Sequence, residues 1–232
     1  MPTVILVRHG RSTANGAGVL AGRTPGVKLD ETGRAQAAAV ADRLAKVRLA
    51  AIVTSPLDRC RQTAAEIARR HDGLKPSTDR RLTECGYGDW TGQSLKDLAK
   101  DPLWPVVQQY PSGVTFPGGE SMRQMQQRGV DAVRAHDAAI AATHGSQAIW
   151  VAVSHGDVIK AIVADALGLH LDQFQRIVVD TASATVISYT PGRPFLVRLN
   201  DTTGDLAALV PPPPKRTRSR RTVSSDAVVG GR

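Results

Sequence analysis

The chain has 232 residues, enough for one large domain, or one domain and a tail, with a core that needs no disulfide or metal staple. Its 41% hydrophobic and 22% charged residues are an ordinary globular balance, which argues against a fibrous or wholly disordered chain. No apolar run approaches the length of a membrane span, and Met1-Pro2-Thr3 leads into a strand without a signal-peptide pattern. Cys60 and Cys85 lack C-x-x-C spacing and are expected to be reduced thiols, as in a cytoplasmic protein. The net charge of +9 is unevenly spread. From Pro211 onward six cations face one carboxylate, Asp226, so the tail holds five of the nine net charges and the body four.

Residues 4–7 form a short β-branched apolar run that ends in Arg8-His9-Gly10, and residues 35–47 follow with helical periodicity. Residues 51–53 end in Thr54-Ser55-Pro56 and lead to a helix over 57–68. The stretch Glu84-Cys85-Gly86-Tyr87-Gly88-Asp89-Trp90 reads as a glycine-rich loop. Residues 95–119 carry Pro102, Pro105, Pro111 and Pro117 and read as an insertion, part helix and part loop, over the strand ends. A long helix is expected from Ser121 to about Thr143. Residues 149–153 then end in Ser154-His155-Gly156, with a helix over 158–167. Residues 184–189 and 195–199 form a closing hairpin around Pro191-Gly192.

Continuous apolar strands alternating with helices predict an α/β fold, a mostly parallel central sheet with helices on both faces. Residues 1–205 are expected to be one domain, and 206–232 a proline-rich basic tail without fixed structure. Ligands of such sheets sit at the carboxyl ends of the strands, so all three polar turns should converge on one crevice.

Phosphoryl transfer needs a nucleophile, positive groups around the non-bridging oxygens and a proton for the leaving oxygen. A neutral His9 can attack phosphorus, Arg8 can grip its oxygens, and Gly10 opens the turn that follows. Arg59 and Arg61 stand on the helix after Ser55-Pro56, where Arg61 reads as a solvated residue. His155 adds a second imidazole at the same edge, and Glu84 a carboxyl that can protonate a leaving group.

Val7-Arg8-His9-Gly10-Arg11-Ser12-Thr13-Ala14-Asn15 resembles the signature of the histidine phosphatase superfamily, in its phosphoglycerate-mutase-like branch. The segment from Ser55 to Ala64, the loop from Glu84 to Gly92 and Ser154-His155-Gly156 resemble its other motifs in order, over residues 3–199. The resemblance implies that His9 is the phosphorylated nucleophile, that Arg8, Arg59 and His155 bind the phosphoryl group, and that Glu84 donates the proton. Asn15 is similar to a phosphate-binding residue, and Gly22, Arg23, Tyr87 and Gly156 complete the expected substrate-binding set. It also implies no metal and no cofactor. Two departures stand out, Arg11 where the family usually has Glu or Gln, and Ala21 where mutases carry serine.

The implied activity is a metal-independent phosphomonoester hydrolase acting on a small phosphorylated metabolite. A phosphoglycerate mutase is the alternative. Tyr87 favours it, while an insertion without arginine and Gly88-Asp89-Trp90-Thr91-Gly92 favour the phosphatase. The basic tail raises a phosphate- or nucleic-acid-binding non-enzyme, but it has no aromatic side chain to stack a base, so nucleic acid is not the expected partner. Homo-oligomerisation is left open. If His155 and Glu84 must both carry protons, turnover of poor leaving groups should peak at about pH 5–6.5.

Overall fold

The computed structural model describes residues 2–203, and the expected tail over 206–232 lies outside the described residues. Six strands form one sheet: β1 (Thr3–Arg8), β2 (Leu49–Thr54), β3 (Ser77–Thr78), β4 (Ile149–Ser154), β5 (Ala184–Tyr189) and β6 (Pro194–Asp201). Their order is β3-β2-β4-β1-β5-β6, with β3, β2, β4 and β1 parallel and the β5–β6 hairpin antiparallel at one side. The mostly parallel sheet expected from the sequence is present.

Side chains of β1 alternate between the faces. Val4 and Leu6 join one core with Trp150, Ala152 and the helices α6 (Met122–His144) and α7 (Gly156–Ala166). Ile5 and Val7 join the other core with Val151 and Val153, against α2 (Glu31–Leu44) and α3 (Asp58–Ala68). Because both faces are covered, each of these β1 and β4 positions is apolar and fully buried.

α2 starts four residues before the expected Ala35 and stops at Leu44. Asp30 caps it, its Oδ1 accepting from Gly33 N at 2.7 Å, and this cap overrides the polar, glycine-containing first turn. A Cβ on Gly33 would lie 1.8 Å from the Arg11 carbonyl oxygen, so the helix start can press against the loop after His9 only as glycine. The insertion is short pieces, α4 (Leu95–Leu98), α5 (Trp104–Gln109) and a turn of 3₁₀ helix at Pro111–Gly113. A four-residue α1 (Thr13–Gly16), capped by Ser12, follows the His9 loop.

Candidate active site

The carboxyl ends of β1, β2 and β4 meet in one cleft of about 450 Å³. Arg8 and Ser154 are register partners, and His9 N donates to the Ser154 carbonyl at 3.0 Å, so the parallel ladder itself sets His9 beside His155. The two imidazoles stand edge to face, with centroids 5.1 Å apart. Gly10 N donates to Thr63 Oγ1 at 3.1 Å, which fixes the following turn to α3.

His9 is buried, and its Nδ1 lies 2.7 Å from the Gly10 carbonyl oxygen. A carbonyl only accepts, so Nδ1 carries the proton and Nε2 keeps its lone pair. Arg59 Nε donates toward that Nε2 at 3.3 Å. Burial, then the charges of Arg59 and Arg8, hold the His9 pKa well below the ordinary imidazole value.

Arg59 reaches the cleft from the second residue of α3 and is itself buried. Its Nη2 donates to the Gly22 carbonyl at 2.7 Å and lies 3.3 Å from His155 Nδ1. Arg8 Nη1 donates to the Val179 carbonyl at 2.7 Å. Arg8 Nε and Arg59 Nη1 are buried with no hydrogen-bond partner among the described residues. Two desolvated guanidinium N–H groups beside an imidazole lone pair make a binding site for an anion's oxygens.

His155 is fully buried, and its Nε2 lies 2.8 Å from Ser55 Oγ. Burial, then Arg59, His9 and Arg8, depress its pKa strongly. With no anion bound this favours the neutral imidazole, so the charged form expected of a phosphoryl-bound His155 would have to come with the ligand. A phosphoryl dianion would work against that depression.

Glu84 Oε1 accepts from Cys85 N at 2.9 Å, and Oε2 is 3.9 Å from His155 Nδ1. Burial, then the negative charge of Asp157, push its carboxyl up to about 7. A carboxyl that can hold a proton near neutrality and a His9 imidazole that stays unprotonated, both lining one cleft, are the two states that acid–nucleophile chemistry requires.

Asn15 lines the cleft, and its carboxamide oxygen accepts from Ser12 N at 3.0 Å and Ser12 Oγ at 2.8 Å, which leaves its NH₂ as the group it can offer. Tyr87 also lines the cleft but donates its hydroxyl to Asp157 Oδ2 at 2.7 Å. Gly156 opens α7, and a Cβ there would lie 3.5 Å from Arg8 Cζ. Gly22, at φ +48°, contributes a carbonyl that orients Arg59.

Arg23 does not line the cleft. Its Nε donates to the Glu84 carbonyl at 2.9 Å and its Nη2 pairs with Glu120 at 2.9 Å, so it braces the Glu84 loop from outside. Arg11 turns outward as well, with Nε on Asp30 at 2.7 Å and Nη2 on Thr32 at 2.8 Å. Arg61 is exposed and pairs with Asp58, as expected of a solvated helix residue.

Sequence reasoning missed Ser12, Ser55 and Thr63, which orient Asn15, His155 and Gly10, and did not mark Lys160. The available signal was spacing. Thr63 is four residues after Arg59, and Lys160 is four after Gly156, so each shares a helix face with a predicted site residue. The insertion and the loop before it supply the apolar side of the cleft. Trp90, Leu95, Trp104 and Val107 line the cleft, while Leu98 is buried in the core and Val106 is exposed.

Strand-end histidines, buried arginines and a raised carboxyl define an α/β enzyme of phosphoryl chemistry. The family model of the histidine phosphatase superfamily (branch 1) matches residues 4–202, and the chain belongs to that superfamily. Phosphoserine phosphatase 1 of Hydrogenobacter thermophilus is 31% identical over 205 residues, covering 87% of this chain and 93% of that protein. The glucosyl-3-phosphoglycerate phosphatase of Mycolicibacterium vanbaalenii is 32% identical over 176 residues, 74% of this chain and 76% of that protein. A solved mycobacterial glucosyl-3-phosphoglycerate phosphatase, in complex with VO₃, superimposes with a TM-score of 0.76 at 27% identity, covering 86% of this chain and 99% of that one. The chain is a phosphomonoester hydrolase of this family. No helix among the described residues is long and apolar enough to cross a membrane.

Proposed function

We propose that the chain hydrolyses a small phosphorylated metabolite through a phosphohistidine on His9. His9 Nε2 attacks phosphorus and forms the N–P bond while the ester P–O bond breaks, and Glu84 gives its proton to the departing alkoxide. Water then attacks phosphorus, Glu84 takes up the water's proton, and the N–P bond breaks to release phosphate and restore His9. Arg8, Arg59, Asn15 and His155 hold the non-bridging oxygens through both steps, where charge builds. The observation that supports this reading is the His9 tautomer, with Nδ1 tied to the Gly10 carbonyl at 2.7 Å and Nε2 kept unprotonated by depressed basicity, its lone pair met only by a long contact from Arg59 Nε at 3.3 Å.

The named relatives act on phosphoserine and on glucosyl-3-phosphoglycerate, which supports a metabolite rather than a macromolecule as substrate. The free, buried Cys60 and Cys85 are in keeping with a cytoplasmic site of action. The test is turnover of p-nitrophenyl phosphate by His9→Ala, expected to vanish with the fold retained by circular dichroism. Brief reaction of the wild type with labelled substrate, quenched in base, should trap label that is acid-labile and base-stable. Full activity in His9→Ala would overturn the mechanism.

A further inference from the structure

The histidines and arginines account for the phosphoryl half of the substrate and leave the shape and charge of the alcohol half to the rest of the cleft. The same cleft is lined by Trp90, Leu95, Trp104 and Phe116 and by one ammonium, Lys160. Lys160 is part-buried, donates to Gln175 Oε1 at 3.1 Å and sits 5.6 Å from the centre of the Phe174 ring. No carboxylate lies within ion-pair distance of its Nζ among the described residues. The two other acidic groups lining the cleft are held by neutral donors, Asp157 by the Tyr87 hydroxyl at 2.7 Å and Asp180 by Asn200 Nδ2 at 2.8 Å. A partly desolvated cation held only by an amide oxygen and a ring face carries a standing cost, which an anionic ligand group would offset.

Its position fixes where that group must be. Lys160 lies one turn, about 6 Å, along α7 from Gly156, on the same face, and helical side chains lean back toward the N-terminus. The missing side chain of Gly156 is where Arg8 approaches, at 3.5 Å from an ideal Cβ. Lys160 therefore leans toward the phosphoryl pocket from one turn away. The phosphoryl pocket meets its anion with two arginines, whereas Lys160 is a single point charge bonded to the Gln175 amide, with a second amide, Gln108, also lining the cleft. One ammonium with neutral amides and nearby Asp157 and Asp180 suits a monoanion better than a second phosphate.

We infer that Lys160 is a specificity-determining residue that reads a carboxylate on the alcohol half of the substrate, so that the enzyme selects phosphorylated organic acids. This rests on the phosphatase reading, and the experiment separates the two. Phosphoglycerate and glycerol phosphate differ by a carboxylate, and their kcat/KM values are compared in wild type, Lys160→Met and Lys160→Arg, with the bisphosphate of propanediol as a dianionic control. The wild type should prefer phosphoglycerate. That preference should fall at least about tenfold in Lys160→Met, through KM with kcat little changed, as expected for one lost charge-assisted contact, and Lys160→Arg should keep most of it. An equal loss on both substrates, or an unchanged preference, would overturn the inference, as would a larger effect of Lys160→Met on the bisphosphate. p-Nitrophenyl phosphate with His9→Ala reports separately on the underlying reaction. Turnover that survives that substitution would sink the phosphatase mechanism and leave the Lys160 comparison readable.

Discussion

Glu84 and His9 both feel the charges of Arg59 and Arg8, yet their protons respond in opposite ways. Both are buried, and burial disfavours the charged form of each, so the carboxyl rises to about 7 while the imidazole falls. At neutral pH about half of the Glu84 carboxyl groups still carry the proton, and the His9 imidazole is already neutral. Activity on a poor leaving group should therefore hold from mildly acid pH up to about 7 and fall beyond it as Glu84 ionises. The raised Glu84 thus moves its own alkaline limb above the range expected from the sequence. Glu84→Gln should damage turnover of an alkyl phosphate far more than of p-nitrophenyl phosphate, read as kcat/KM across the range, and equal damage would remove Glu84 as the acid. The same shift has a cost in stability. Folded Glu84 keeps its proton up to about 7 while the unfolded group loses it near 4.5, so the stability this proton supplies is full below the lower value and lost as pH rises through the upper. Glu84→Gln should accordingly raise Tm at about pH 8 and much less at about pH 4. None of this could be read from sequence, which shows that Glu84 exists but not that Asp157 stands beside it.

At the scale of elements, the strands and helices that carry chemistry were legible, because a strand covered on both faces writes itself as an unbroken apolar run. α3 differs from its expected bounds by one residue at its start, and α6 ends one residue past the expected Thr143. What stayed hidden was decided by tertiary contact. β3 is two exposed residues, too short to leave a pattern, and exists because β2 offers it an edge. The start of α2 depends on the packing of Gly33 against the Arg11 backbone, and Gly10 meets Gly33 from the other side, with an ideal Cβ only 2.3 Å from the Gly33 carbonyl oxygen. These two backbones hold the His9 turn against α2. Gly33→Ala should therefore destabilise the protein by about 3 kcal/mol in urea unfolding and depress kcat, since the turn must shift to admit a methyl group. A variant with wild-type stability and kcat would show that the loop has slack.

Across the whole molecule, the convergence of three strand ends was predictable from the rule that parallel sheets bind at their carboxyl edges. The direction of Arg23 and Arg11 was not, because a motif gives position and not rotamer. Both side chains serve carboxylates or carbonyls outside the cleft. The site is also divided unevenly over the architecture. His9 and His155 follow two adjacent central strands, with all of β4 buried, whereas Trp104 and Leu95 ride on helices of six and four residues. Amide protons of residues 4–7 and 150–153 should exchange with deuterium only when the whole domain opens, and those of residues 95–109 through far cheaper local opening. On that expectation the two histidines sit in the part that opens least, and the apolar wall of the cleft sits where opening is easy. Exchanging that segment for a relative's would retune which ester is accepted while the histidines kept their timing.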